Sequence, residues 1–205
     1  ITAWKLMPAL ACGCTVVIKP SPETPLTAMR LAELAIEAGI PPGVFNLVNG
    51  GGDTGHALAS HKLIDKVSFT GSTAVGKIVG ATAVKNMTRF ALELGGKNPM
   101  LVMADADVDK AVGGAILGGL LNAGQVCAAA SRLYVHRSRY QEFTEKLAAA
   151  VALMPIGEGM DAGAAINPLV SYKQQQSVLG HIARARDEGA RIVLGGGIGQ
   201  QKGFY

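Results

Sequence analysis

The chain has 205 residues, 49% hydrophobic and 17% charged. That balance excludes a disordered, solvated polymer and allows one sizeable core or two smaller ones. The net charge of +4 suits an anionic ligand, but Lys and Arg are scattered and aromatics are only 5%, so no basic block serves nucleic acid.

Cys12, Cys14 and Cys127 are an odd count without framework spacing, and His56, His61, His136 and His181 complete no zinc site with them. A reducing, cytoplasmic setting follows, with no metal expected. Cys12 and Cys14 read as small buried hydrophobes. His56 and His61 flank a short helix and read as surface residues.

In chain order, ITAWKLMPALACGC is apolar but lacks a basic start, and it reads as the interior of a longer protein rather than a signal peptide. TVVIKP is a short β-branched strand ended by proline. Residues 25–40 form a helix with Leu31, Leu34, Ala35 and Ala38 on one face, Pro25 in its first turn and Gly39 at its end. VFNLVN is the next strand, TGHALASH a short helix, KVSFT a strand, and STAVGKIVGATAV a helix opening on Ser72 and Thr73. RFALEL and PMLVMAD are strands around a Gly-Gly turn. Residues 106–124 are helical, RLYVH is a strand, and residues 138–154 and 171–189 are helices. RIVLGG is a final strand.

Apolar strands alternating with amphipathic helices predict an α/β fold with a mostly parallel sheet. A boundary is expected near Gly95-Gly96, where the rhythm resets. Residues 111–131 carry no charge and contain a Gly114-x-x-x-Gly118 spacing, so their length permits a membrane span. Five glycines in that stretch, with Asn122 and Gln125 in its last third, favour a buried helix running into a tight loop, and no membrane partner is expected.

Three glycine patterns invite a nucleotide. Gly50-x-Gly52-x-x-Gly55 follows a strand and enters a helix, but about 20 residues on stands Thr70, not the acid a dinucleotide fingerprint requires. A plain glycine turn is at least as good a reading. Gly71-x-x-x-x-Gly76-Lys77 lacks the metal-binding hydroxyl of a P-loop, since Ile78 follows the lysine. The strand end at Phe69-Thr70, the turn at Gly71 and the helix start at Ser72 still present free N–H groups to a phosphate. Glu93, before Gly95-Gly96, is either a base held near substrate or a solvated carboxylate before a turn.

Together, WKLMPALACGCTVVIKPSPETPLTA, FTGSTAVG, LELGGKNP and NAGQVCAAASR resemble the aldehyde dehydrogenase superfamily, in order and spacing, over the whole chain. The resemblance implies a Rossmann-like parallel-sheet portion of a cofactor domain over residues 1–95, and part of an α/β catalytic domain over residues 96–205. It implies Cys127 as nucleophile, Glu93 as general base and Lys5 near the proton-release path, although a surface lysine is nearly as good a reading of Lys5. NAD is the implied cofactor, with NADP possible. Lys19 matches its adenosine-ribose contact, Ser72 matches the residue touching the pyrophosphate, Thr70 lies beside the nicotinamide, Gly95 lies close to the cofactor, and Ser21 and Gly71 are further cofactor-binding positions. The backbone N–H of Cys127 is one oxyanion donor.

The family's second oxyanion donor, an asparagine, precedes the Trp-Lys segment, and its ribose-positioning glutamate follows this stretch. The chain alone is therefore expected to be inactive, while the full-length protein oxidises a small-molecule aldehyde, as a homodimer or homotetramer. Many NAD-preferring members carry Glu three residues after the Lys19 equivalent; here Pro22 stands there and Glu23 follows. Asn167, in MDAGAAINPLVS, with LELGGKNP and GQVCAAASR, is similar to the phenylacetaldehyde-oxidising branch. Betaine-aldehyde and broad-specificity members are the alternatives, as is a catalytically inactive nucleotide-binding remnant.

Overall fold

The computed structural model describes residues 1–199, 203 and 204. The fold is α/β with parallel strand pairs, organised as two compact units, Ile1–Leu94 and Gly95–Tyr205.

The first unit opens with a helix absent from the sequence reading, α1 (Thr2–Ala11), which contains Pro8. Its other residues are mostly good helix formers, and the proline removes only one internal donor. Leu6 is its buried anchor at 2% exposure. Gly13, at φ +78°, ends it by donating to Leu10 O at 2.9 Å. Cys12 and Cys14 flank that turn and are exposed, not buried as expected. The reason is local: they sit on either side of a left-handed glycine and not on an apolar helix face.

The strands β1 (Val16–Ile18) and β2 (Phe45–Leu47) pair in parallel, Val16 opposite Phe45, across the helix α2 (Leu26–Glu37). The inward stripe of α2 is Ala28, Leu31, Ala32 and Ala35, whereas Leu34 and Ala38 face outward. The expected face was thus rotated by part of a turn, because alanines pack inward where leucine had been counted. Gly39, at φ +85°, closes the helix as expected.

After α3 (Gly52–Ser60), the strands β3 (Lys66–Gly71) and β4 (Arg89–Leu94) pair in parallel across α4 (Thr73–Lys85). β3 alternates polar and apolar residues, whereas β4 is apolar from Phe90 to Leu92. On one face Phe90, Leu92 and Leu94 meet α4, which approaches closely at its glycines. A Cβ at Gly76 falls 2.6 Å from Leu94 Cδ2, and one at Gly80 falls 3.4 Å from Phe90 Cε2. The opposite face carries Ser68, Thr70 and Glu93, with Thr70 directly across from Glu93.

In the second unit, β5 (Pro99–Val102) and β6 (Arg132–Val135) pair in parallel, Pro99 opposite Arg132. Between them run α5 (Val108–Leu120) and a 3-10 turn (Leu121–Gly124). The helices α6 (Arg137–Ala152) and α7 (Tyr172–Asp187) follow. Val102, Val108, Val112, Ala115 and Phe143 form the core, each at most 8% exposed. The helix expected to reach residue 124 stops at Leu120, where Asn122 and Ala123 turn left-handed. No helix among the described residues is long and apolar enough to cross a membrane.

The strand expected at RIVLGG does not form. Gly195 and Gly196 take φ of +68° and +81°, which curls the chain, and Arg186 Nη2 holds Gly196 O at 3.1 Å.

Candidate functional site

Lys19 follows the C-terminal end of β1. Its ammonium donates to Pro20 O at 2.6 Å and to Gly50 O at 3.1 Å. Its stem lies against the first turn of α3, since a Cβ at Gly55 sits 3.4 Å from Lys19 Cε. Gly50, at φ +156°, has the Thr54 side chain where its own Cβ would be. The G-x-G-x-x-G pattern is therefore spent on a tight helix entry and on room for Lys19. Ser21 begins a turn closed by Thr24 N donating to Ser21 O at 3.1 Å, and its hydroxyl accepts from Glu23 N at 3.4 Å. Pro22 fixes the second position of this turn, so Glu23 takes the third and is exposed.

The end of β3 gives the strand-to-helix junction expected at Thr70, Gly71 and Ser72. Ser72 caps α4, its Oγ accepting from Val75 N at 3.3 Å. The amides of Thr73 and Ala74 lie in the first helical turn, where helix geometry offers them no internal acceptor. At Gly71 any Cβ would run into the Phe69 ring, so glycine is required there by packing. Gly76 is likewise buried against Leu94, and Lys77 is exposed. Packing therefore accounts for both glycines of the near P-loop.

The polar face of the β3–β4 ladder brings Lys5 and Glu93 together. Lys5 Nζ donates to Ser68 Oγ at 2.7 Å. Burial is the main cause that pulls the Lys5 amine below its ordinary range; the nearby Glu93 carboxylate opposes this and the Lys66 ammonium adds to it. Glu93 itself is exposed.

In the second unit, Cys127 occupies a strained loop. Asn122 (φ 53°) and Ala123 (φ 55°) are left-handed, as is Gly124 at φ 74°. A left-handed conformation in a non-glycine residue costs on the order of 1–3 kcal/mol. Asn122 and Gln125 hold it reciprocally: Asn122 Nδ2 donates to Gln125 O at 3.3 Å, and Gln125 Nε2 to Asn122 O at 3.2 Å. Gln125 Oε1 also accepts from Val170 N at 2.9 Å. Val126–Ala129 then form a turn, Ala129 N donating to Val126 O at 3.0 Å, with Cys127 and Ala128 at its apex. Cys127 is exposed. The exit of the turn presses on α5, where Ala130 N donates to Gly118 O at 2.8 Å and a Cβ at Gly118 would lie 3.3 Å from Ala130 Cβ.

Gly95 is exposed, with open space around its Cα. Asn98, three residues on, donates from Nδ2 to Cys127 O at 2.9 Å and Ala129 O at 3.3 Å. Asn167 ties its own loop, donating to Gly157 O and Glu158 O at 3.3 Å each. Sequence reasoning passed over Ser68 and Asn98. The polar-apolar alternation of KVSFTG was the available signal for the first; nothing local marked the second.

The aldehyde dehydrogenase family model matches residues 1–205. Phenylacetaldehyde dehydrogenase of Pseudomonas fluorescens is 48% identical over 197 residues, 96% of this chain and 39% of that protein. The NADP(+) succinate-semialdehyde dehydrogenase of Escherichia coli (strain K12) is 48% identical over 202 residues, 98% of this chain and 42% of that protein. Among solved structures, the NAD+ complex of aldehyde dehydrogenase from Bacillus cereus matches with a TM-score of 0.97 at 42% identity, over 100% of this chain and 42% of that one. The chain spans about two fifths of the length of these curated relatives. A family match that runs over residues 1–205 has one meaning: the chain belongs to the aldehyde dehydrogenase family.

Proposed function

We propose that the protein carrying this chain oxidises an aldehyde to the carboxylic acid with NAD(P)+, using Cys127 as nucleophile. The observation that carries this reading is the Cys127 turn itself, an exposed thiol at the apex of a loop held strained by Asn122 and Gln125. Strain of this kind concentrates at sites of chemistry.

The thiolate of Cys127 adds to the aldehyde carbon, forming a C–S bond and a thiohemiacetal. The Cys127 amide donates to the oxygen as negative charge develops there. Bound NAD(P)+ supplies acceptance of a hydride, which takes the carbon bonded to Cys127 to the acid oxidation level. Glu93 then removes a proton from the water that cleaves the thioester, releasing the acid and regenerating the thiolate. Lys5 keeps a positive charge near Glu93, on the path by which that proton leaves. Pairing Glu93 with Cys127 in one reaction rests on the motif resemblance.

The residues present fit a dinucleotide. The α4 N-terminus offers the Thr73 and Ala74 amides, and Gly71 brings the backbone close before it. Lys19, held over the Gly50 loop, adds an ammonium at a second strand end, and Ser21 stands in the adjacent turn. Thr70 is assigned to the nicotinamide side, and Gly95 to a position close to the cofactor. These groups would hold the cofactor at the carboxyl ends of parallel strands, where such sheets bind ligands. NAD is favoured over NADP, with Glu23 near the ribose despite Pro22.

Phenylacetaldehyde-like aromatic aldehydes are the proposed substrates, supported by the similarity to the Pseudomonas enzyme. The equal identity to a succinate-semialdehyde enzyme favours broad specificity as the second reading. Steady-state kinetics of the full-length protein on phenylacetaldehyde, acetaldehyde and betaine aldehyde, with NAD+ and NADP+, test both. Phenylacetaldehyde with NAD+ is expected to give the highest kcat/KM. Equal values for all three aldehydes would leave broad specificity, and no turnover with any of them would sink the enzymatic reading.

A further inference from the structure

We propose that Asn98 is a positioning residue for the nucleophile turn, clamping the carbonyls of Cys127 and Ala129 with one side-chain amide while Gly96 leaves it room. The proposal rests on the reading of Cys127 as nucleophile.

A primary amide carries two N–H donors, and Asn98 directs its nitrogen at both carbonyls, 2.9 Å and 3.3 Å away. The two acceptors are two residues apart, so a single donor group ties down the Cys127–Ala128 and Ala129–Ala130 peptides. Rotation of either peptide breaks one bond. The Cys127–Ala128 peptide starts at the Cys127 Cα, so holding its carbonyl restricts ψ at Cys127 and with it the direction of the thiol.

Asn98 is itself anchored to regular structure. It precedes Pro99, which restricts its backbone to extended conformations. Its carbonyl accepts from Arg132 N at 3.2 Å, and Arg132 Nε donates to Lys97 O at 2.7 Å. The clamp thus grows from the start of the β5–β6 ladder, and one side chain connects that ladder to the cysteine carbonyl. On the other side of Asn98, a Cβ at Gly96 would come within 3.1 Å of Oδ1 and 3.3 Å of Nδ2. A side chain at position 96 therefore requires the Asn98 amide to give by a few tenths of an ångström, so glycine there suits the close approach.

The turn is also closed across the cysteine by Ala129 N donating to Val126 O, braced before it by the Asn122–Gln125 pair, and held past it by two further bonds. Ala130 N reaches Gly118 O, and Ser131 N donates to Ala129 O at 2.8 Å. Without Asn98 those bonds still hold the turn, while the Cys127 carbonyl loses the Asn98 donor and its peptide is held less tightly. A misplaced attacking atom costs rate without abolishing the fold.

The test uses the full-length protein and four variants: Asn98→Leu, Asn98→Ser, Gly96→Ala and Cys127→Ala. Leu keeps the approximate shape but donates nothing; Ser keeps one donor. Two quantities are read. One is the rate of Cys127 alkylation by iodoacetamide, mapped by peptide mass so that Cys12 and Cys14 are separated. The other is the split of aldehyde kinetics into kcat and KM. Asn98→Leu is expected to slow both alkylation and kcat by about tenfold or more, with KM for the cofactor unchanged. Asn98→Ser is expected to recover part of the loss, and Gly96→Ala to reproduce the loss with Asn98 intact. If Asn98→Leu does not fold, the Gly96→Ala result decides. Alkylation and kcat within about twofold of the parent in both Asn98→Leu and Gly96→Ala would overturn the proposal. Cys127→Ala separates the underlying reading: if it retains activity the nucleophile assignment falls, whereas the alkylation rates still report whether Asn98 positions the thiol.

Discussion

Lys5 on α1 donates a 2.7 Å hydrogen bond to Ser68 on β3, 63 positions later in the chain. The bond lays an ammonium on the face of the ladder that carries Thr70 and Glu93. Lys5, for which the sequence leaves a surface position nearly as good a reading as a place near the proton-release path, is a docked, half-buried group.

Its titration gives the first prediction. Burial disfavours the charged amine, so Lys5 releases its proton below the ordinary 10.5. The folded state then binds fewer protons than the unfolded state as pH rises toward 10.5, and Lys5's contribution to stability grows over that window and is least at lower pH. Competitive acetylation of the full-length protein across pH, mapped to the Lys5 peptide, should give a midpoint below 10.5. In Ser68→Ala the untethered side chain moves into water and the midpoint should rise. A parent midpoint at or above 10.5 contradicts the docking.

Glycines of similar appearance should respond with opposite signs. Gly76 faces Leu94 with no room for a Cβ, so Gly76→Val is expected to destabilise by about 1–3 kcal/mol through overpacking. Gly113 lies inside α5 and is exposed with open space at its Cα, so Gly113→Ala should stabilise by up to about 1 kcal/mol through helix propensity. Melting temperatures of the two variants check this. A stabilising Gly76→Val would refute the close helix-to-strand packing, and Lys77→Ala should leave oxidation intact.

The exposed cysteines separate reactivity from function. Cys12 and Cys14 are accessible but take no part in the proposed chemistry. The double variant Cys12→Ser/Cys14→Ser is expected to keep kcat within about twofold and to remain fully inactivated by iodoacetamide, since a surface substitution changes little. Loss of turnover in the double variant would move chemistry into the turn after α1.

What was legible in the sequence followed from local rules. The β-branched run at Val16–Ile18, the Ser72 cap and the Gly39 stop each carry their signal within a few residues, and each stands where it was expected. The α1 helix was hidden by Pro8, whose local penalty is overcome by burial of Leu6. RIVLGG has strand composition, yet the left-handed Gly195 and Gly196 turn it aside, because a short apolar run becomes a strand only where a ladder receives it. The supports of the candidate site were the least visible. Ser68 and Asn98 act on residues 63 and 29 positions away, and no periodicity encodes contacts of that range.

The central claim is that the Cys127 thiolate forms the covalent bond to the aldehyde carbon. Electrospray mass measurement of the full-length protein, mixed with aldehyde and NAD+ and quenched in acid within the first turnover, tests it most directly. An acyl adduct is expected on the Cys127 peptide and is absent in Cys127→Ala, which should also lose oxidation by at least about a thousandfold. An unmodified Cys127 peptide during active turnover, or a Cys127→Ala protein that still oxidises aldehydes at the parent rate, would contradict it.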